Sequence, residues 1–253
     1  MQDKVISLTV SDCIGRITIH RYSHKNALTS EMYLELASLL NECDSNSELK
    51  AVLILGNEET FCAGNDLNDF LSTPLNNIQA PPFVFLLALN NFSKPLIAAT
   101  AGPAIGIGTT MLLHCDHVIS ADNTLFKMPF VQLGLTPEGA SSLLLPQLVG
   151  QRKASELLML GESFDAYQAL SFGLVNEICE PSNLVENALT ICHRYAAQAP
   201  EAVQAAKNLM KAPLKQQIED VILKEGEVFI ERLQSGEAKE ALNAFLEKRA
   251  PQF

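Results

Sequence analysis

The chain has 253 residues, with 29 Asp and Glu against 18 Lys and Arg and a formal net charge of −11. At 47% hydrophobic and 19% charged residues it is too apolar for a disordered chain, and long enough to bury roughly 70–75% of the surface it exposes when unfolded. The acidity repels a phosphate backbone, and 6% aromatic residues with no Trp make a poor stacking platform, so nucleic-acid binding is not expected.

In chain order, Met1 to Val5 lacks the apolar stretch of a secretion signal. Val5–Val10 and Ile14–Ile19 alternate and predict two strands with Ser11-Asp12 at the turn. Thr29 or Ser30 predicts the cap of a helix with Met32, Leu36, Leu39, Leu40 and Cys43 on one face. Ala51–Gly56, Leu96–Ala99 and Val118–Ser120 are short apolar runs that predict buried strands. Between the first two, Asn68–Pro82 carries Pro74, Pro81, Pro82 and several Asn, and reads as a loose loop beside a site. The uncharged run Pro95–Leu113 approaches spanning length. Gly102, Pro103, Gly106 and Gly108 interrupt it, so it predicts a strand, a turn and a helix rather than a membrane segment.

Strand and helix alternate to about residue 150, which predicts an α/β core. Beyond it, Arg152–Leu160, Ala166–Phe172, Leu184–Ala197, Glu201–Met210, Ile218–Leu233 and Ala238–Lys248 predict helices, separated by Gly161, Gly173, Pro181, Pro200, Pro213 and Gly236. The expected organisation is a core over 1–195 and a helical region over 196–253. The six cysteines form no Cys-x-x-Cys pair and predict free thiols.

Three segments can carry chemistry. Phe61-Cys62-Ala63-Gly64-Asn65-Asp66-Leu67 leaves a strand through small residues that expose backbone N–H groups; an ordinary turn has the same composition. Ala101–Thr110 is a glycine-rich turn at a helix start, suited to an anion or an oxyanion, or to close packing of helix on strand. It lacks the third glycine of a dinucleotide site and the Gly-Lys-Ser/Thr of a P-loop. In Leu135-Thr136-Pro137-Glu138-Gly139, Thr136, Pro137 and Glu138 fit the N-cap, N1 and N2 positions of a helix. Glu138 is then either a carboxylate at the positive helix end or, among Phe130, Leu133 and Leu135, a general base of raised pKa. His114 and His117 are three apart but have no third ligand at metal spacing, so no metal is expected. No Gly-x-Ser-x-Gly elbow is present.

Taken together, Phe61–Leu67, Gly102–Gly108 and the terminal Phe245-Leu246-Glu247-Lys248-Arg249-Ala250-Pro251 resemble the crotonase, or enoyl-CoA hydratase/isomerase, superfamily. The resemblance implies an α/β spiral of ββα units with a helical C-terminal trimerisation region, assembled as a homotrimer or hexamer. It implies an acyl-CoA thioester as substrate, with no separate cofactor. By resemblance, the N–H groups of Ala63 and Ile107 form the oxyanion hole. Lys25, Ala27, Gly64, Asn65, Asp66, Leu67, Gly106 and Phe130 then line the substrate and CoA site. The family's hydratases use two glutamates, and the matching positions here hold Thr110 and Phe130. The Thr-Pro-Glu-Gly stretch instead resembles the peroxisomal-type Δ3,Δ2-enoyl-CoA isomerases, which implies Glu138 as proton shuttle. The ending Pro-Gln-Phe is no peroxisomal tripeptide, and a cytoplasmic location is expected. The alternatives are an enoyl-CoA hydratase or another crotonase-type reaction, or a catalytically silent acyl-CoA-binding module.

Overall fold

The computed structural model describes residues 5–72 and 75–253. Met1–Lys4, at the predicted signal-free start, and Pro74 of the predicted loop lie outside them. In chain order the elements are β1 (Ile6–Ser11), β2 (Ile14–Ile19), α1 (Ser30–Ser45), β3 (Ala51–Leu55), α2 (Leu67–Ser72), α3 (Pro81–Asn91), β4 (Leu96–Thr100), β5 (Pro103–Ile105) and α4 (Ile107–Thr110). There follow β6 (His117–Ala121), β7 (Leu125–Lys127), α5 (Ser141–Val149), α6 (Gln151–Ser155), β8 (Phe164–Asp165), α7 (Ala166–Phe172), β9 (Glu177–Cys179), α8 (Leu184–Ala196), α9 (Pro200–Leu233) and α10 (Gly236–Leu246).

One sheet runs β1-β2-β3-β4-β6-β9, and a smaller one runs β5-β7-β8. The β1–β2 pair is antiparallel and the remaining neighbours in the large sheet are parallel. Parallel strands covered on both faces are uniformly apolar, which is why β3 and β4 read as unbroken runs. Val52, Ile54 and Ala98 face the core with α1 and α3, while Ala51, Leu53, Ile97 and Ala99 pack under Leu184, Ala188 and Ile191 of α8.

Four local readings are corrected. The β1–β2 turn is Asp12-Cys13, both at positive φ (50° and 64°), and not Ser11-Asp12; two left-handed residues match the twist of a tight hairpin. The loop predicted from residue 68 to 82 is helical at both ends, in α2 and α3. Asp66 Oδ1 accepts the N–H groups of Asn68 and Asp69 at 3.0 and 3.1 Å and so caps α2, and Pro81 stands at the start of α3, where its fixed φ is favourable. Pro213 does not separate two helices. It lies inside the continuous 34-residue α9, and the carbonyl it leaves without its helical donor is that of Leu209, in a stretch where Leu209 and Met210 are 77% and 72% exposed. Finally, α5 starts at Ser141, so Thr136, Pro137 and Glu138 are not its first residues.

Along α9, Ile218, Ile222, Glu225, Gly226 and Phe229 are buried at helical spacing. Gly226 lets the helix approach α3 closely, since a Cβ there would stand 3.0 Å from the Phe83 ring. This contact seats α9 against α3.

Candidate active site

The two glycine segments meet side by side. Cys62 N–H donates to Pro103 O at 3.0 Å, and Ile105 N–H donates to Cys62 O at 2.9 Å. Gly108 makes this approach possible, because a Cβ there would lie 2.5 Å from Cys62 O. Gly106 takes φ +55° and turns the chain into α4. Ile107 is the first residue of that helix, so its N–H has no intrahelical acceptor. Among the described residues it makes no hydrogen bond.

The first loop corrects one assignment. Ala63 N–H is already spent on Lys25 O, at 3.0 Å, and cannot be a free donor. Leu28 bridges this loop: its N–H donates to Gly64 O and its carbonyl accepts Asp66 N–H. That register leaves Asn65 N–H without a partner among the described residues. Among the described residues, Asn65 in the first loop and Ile107 in the second are therefore backbone donors without a partner. The Asn65 side chain is fixed too, since Tyr33 Oη donates to its Oδ1 at 2.5 Å.

A cavity of about 640 Å³ opens beside the loops. Of the predicted site residues, Ala27, Ala63, Gly64, Asn65, Asp66, Leu67, Gly106 and Phe130 line it. Lys25 does not line it; its side chain is exposed and its backbone, at φ +49°, serves through the carbonyl that holds Ala63. The cationic side chains along the cavity are instead Lys127 and Arg249. Asp66 is tied down by Arg21 Nη1 at 2.6 Å. Burial acts to raise its pKa, but the Asp69 N–H and Arg21 outweigh it and hold the carboxyl below its usual range.

Glu138 stands on the loop before α5, just outside the cavity lining, and is 7% exposed. Its Oε1 accepts the Thr110 hydroxyl at 2.5 Å. Burial pushes its pKa up to about 8; Thr110 opposes the shift and the charge of Glu225 adds to it. The adjacent Gly139 carbonyl is held by His114 Nε2–H at 2.8 Å. This explains His114 without a metal: buried and short of water, it is driven down to a pKa of about 4 and stays neutral. His117 faces Glu177, 3.5 Å away. Among the described residues no three His, Cys, Asp or Glu gather as a metal site, and no helix is long and apolar enough to cross a membrane.

Tyr33, His114 and Glu225 were not legible as site residues. Thr110 was read only as the occupant of a hydratase position, and its partner lies 28 residues away.

Asn65, with its free N–H, lines the cavity, and Ile107, with its own, stands at the start of α4 directly after the lining residue Gly106 without itself lining the cavity. With the buried carboxyl of Glu138 nearby, such an arrangement can generate and hold an oxyanion. The comparisons agree in class. The enoyl-CoA hydratase/isomerase family model matches residues 9–253, and the chain belongs to that family. It is 34% identical over 242 residues to the short-chain-enoyl-CoA hydratase of Clostridium acetobutylicum, covering 93% of this chain and 92% of that one. It is 31% identical over 255 residues to the peroxisomal enoyl-CoA delta isomerase 3 of Mus musculus, covering 98% and 80%. Among solved structures, OdaA of Pseudomonas aeruginosa superposes with a TM-score of 0.94 at 44% identity, covering 96% of this chain and 99% of that one. The fold is the crotonase fold.

Proposed function

We propose that this enzyme is a Δ3,Δ2-enoyl-CoA isomerase. The observation that carries the reading is Glu138, a buried carboxyl with a pKa near 8, at a site where the positions of the family's hydratase glutamates hold Thr110, spent on Glu138, and Phe130. The other buried acids among the described residues are engaged, Asp66 by Arg21 and Glu225 by the Ala140 and Ser142 N–H groups. A thioester seated in the cavity places its carbonyl oxygen between the N–H groups of Asn65 and Ile107. Glu138 takes the C2 proton, charge spreads from the oxygen to C4 of the dienolate, and the same carboxyl returns the proton at C4. The fixed N–H donors stabilise the dienolate more than the ground state, by roughly 3–4 kcal/mol each.

CoA enters only as part of the substrate, and Lys127 and Arg249 favour its phosphates despite the net charge of −11. Exposed Leu209, Met210 and Phe245 on the C-terminal helices support assembly into a trimer or hexamer. A cytoplasmic location is proposed with it. Isomerisation of 3-hexenoyl-CoA, followed by the absorbance of the conjugated product, tests the activity; a folded enzyme that produces none overturns it.

Thr110→Val separates the parts of the site. Losing the hydroxyl removes the group that opposes the rise of the Glu138 pKa. A base must be deprotonated to act, so the acidic limb of kcat/KM against pH is expected to move to higher pH, with turnover near pH 7 down roughly tenfold or more. An unmoved limb would detach Thr110 from the base.

A further inference from the structure

We propose that Glu225 is a positioning residue for Glu138: reaching across from α9, its carboxylate holds the loop that carries the proton shuttle. The inference rests on Glu138 being that shuttle.

Glu225 is 9% exposed and lies 85 residues along the chain from Ala140, whose N–H donates to its Oε2 at 2.6 Å. Ser142 N–H donates to its Oε1 at 2.9 Å. The two bonds grip a backbone that does not hold its shape by itself. Gly139 and Ala140 are consecutive residues at positive φ, 72° and 56°, and alanine avoids that region. No side chain of the loop caps α5, so the orphan N–H groups at its start are met from another element. Glu225 makes no ion pair with Lys or Arg among the described residues; burial raises its pKa, and the Ser142 hydroxyl and N–H and the Ala140 N–H oppose the rise without cancelling it. A carboxyl gripped by two backbone N–H groups therefore stands behind the loop, and in its ionised form it raises the pKa of Glu138.

The loop is clamped from three sides. His114 Nε2–H holds Gly139 O, Thr110 holds the Glu138 carboxyl itself, and Glu225 holds the turn that follows. Two ordinary roles are open to a carboxylate in this place, a helix cap and a setter of the neighbouring acid. Only the second moves a titration. The titratable groups that face Glu138 are Tyr33 from α1, Cys62 of the first glycine loop and Glu225 from α9. His114, with Lys211 near it, stands behind Gly139.

The test compares Glu225→Gln, Glu225→Asp and Glu138→Gln, with melting temperatures alongside pH profiles of 3-hexenoyl-CoA isomerisation. Gln presents a donor where two N–H groups need acceptors, and it removes the charge. Folded Glu225→Gln is expected to lose roughly tenfold in kcat while its acidic limb moves to lower pH by about half a unit or more, with KM little changed. Glu225→Asp keeps the charge but is one methylene short; its kcat is expected to fall with the limb in place. Wild-type kcat and limb in Glu225→Gln overturn the inference. So does a fall in its kcat with an unmoved limb, the mark of a helix cap alone. Should Glu225→Gln fail to fold, wild-type kcat in Glu225→Asp overturns it. An active Glu138→Gln sinks the reading of the shuttle itself and is thereby distinguished from failure of the clamp.

Discussion

Replacing Glu138 by Gln is expected to abolish isomerisation, by at least about 10³-fold, and at the same time to make the protein more stable at alkaline pH. The first effect follows from the proposed mechanism, in which one carboxyl does both proton transfers, since Gln can do neither. The second follows from where the group is buried. Its folded pKa, near 8, lies above the ordinary carboxyl value of 4.5. A group raised in this way stabilises the fold fully below its unfolded pKa, and the contribution is lost as pH climbs from about 4.5 through about 8. Gln has no charge to bury, so the variant escapes the loss. At pH 9 it is expected to exceed the wild type by on the order of 5 kcal/mol, several degrees or more in Tm, and to match it near pH 4. Thermal unfolding at the two pH values checks this. A helix N2 carboxylate would give the opposite sign, with Gln less stable at neutral pH by about 0.3–1 kcal/mol. A wild-type rate in Glu138→Gln would reduce Glu138 to a structural residue.

The second large effect is expected at Gly108. Its α-hydrogen faces the Cys62 carbonyl, and an alanine Cβ there would lie 2.5 Å from that oxygen and 3.0 Å from Cys62 Cβ. Backbone is on both sides of this contact, so the variant must push the two glycine loops apart. The distance between the Asn65 and Ile107 N–H groups then widens. Misplacing one such donor costs about 10²–10³-fold in kcat, and Gly108→Ala is expected to lose at least that much while still binding CoA. Gly236→Ala is the control: a Cβ there meets nothing within 4 Å, and activity is expected to stay at the wild-type level. A Gly108→Ala enzyme of normal kcat would show that the spacing of the loops does not govern the reaction.

What the sequence made legible divides along physical lines. Strands β3, β4 and β6 and the face of α1 were readable because burial on both sides of a parallel sheet, or on one stripe of a helix, writes itself into local patterning. The two glycine loops were readable because close approach of backbones admits only small residues. Local patterns misled where a distant partner decided the structure. Thr136-Pro137-Glu138 has the composition of a helix start, yet α5 begins at Ser141 and takes its cap from Glu225. Pro213 has the composition of a break, yet α9 runs through it in an exposed stretch. The exchange of Ala63 for Asn65 as the free N–H of the first loop has the same origin. Which N–H in a short loop is free depends on the register of Leu28 and Lys25 against it, and a side-chain sequence carries no record of that.

The isomerase reading turns on the balance between two reactions of one site, because the relatives include both a hydratase and an isomerase. Adding water to a 2-enoyl thioester needs a base for the water and an acid for C2. Here Thr110 is engaged by Glu138, and Phe130 puts a ring on the cavity wall where a hydratase carries a carboxylate. The decisive measurement is kcat/KM for isomerisation of 3-hexenoyl-CoA beside kcat/KM for hydration of crotonyl-CoA, from one enzyme stock at one pH. Isomerisation is expected to exceed hydration by about 10² or more; comparable values, or hydration in excess, would contradict the assignment and make this enzyme a hydratase.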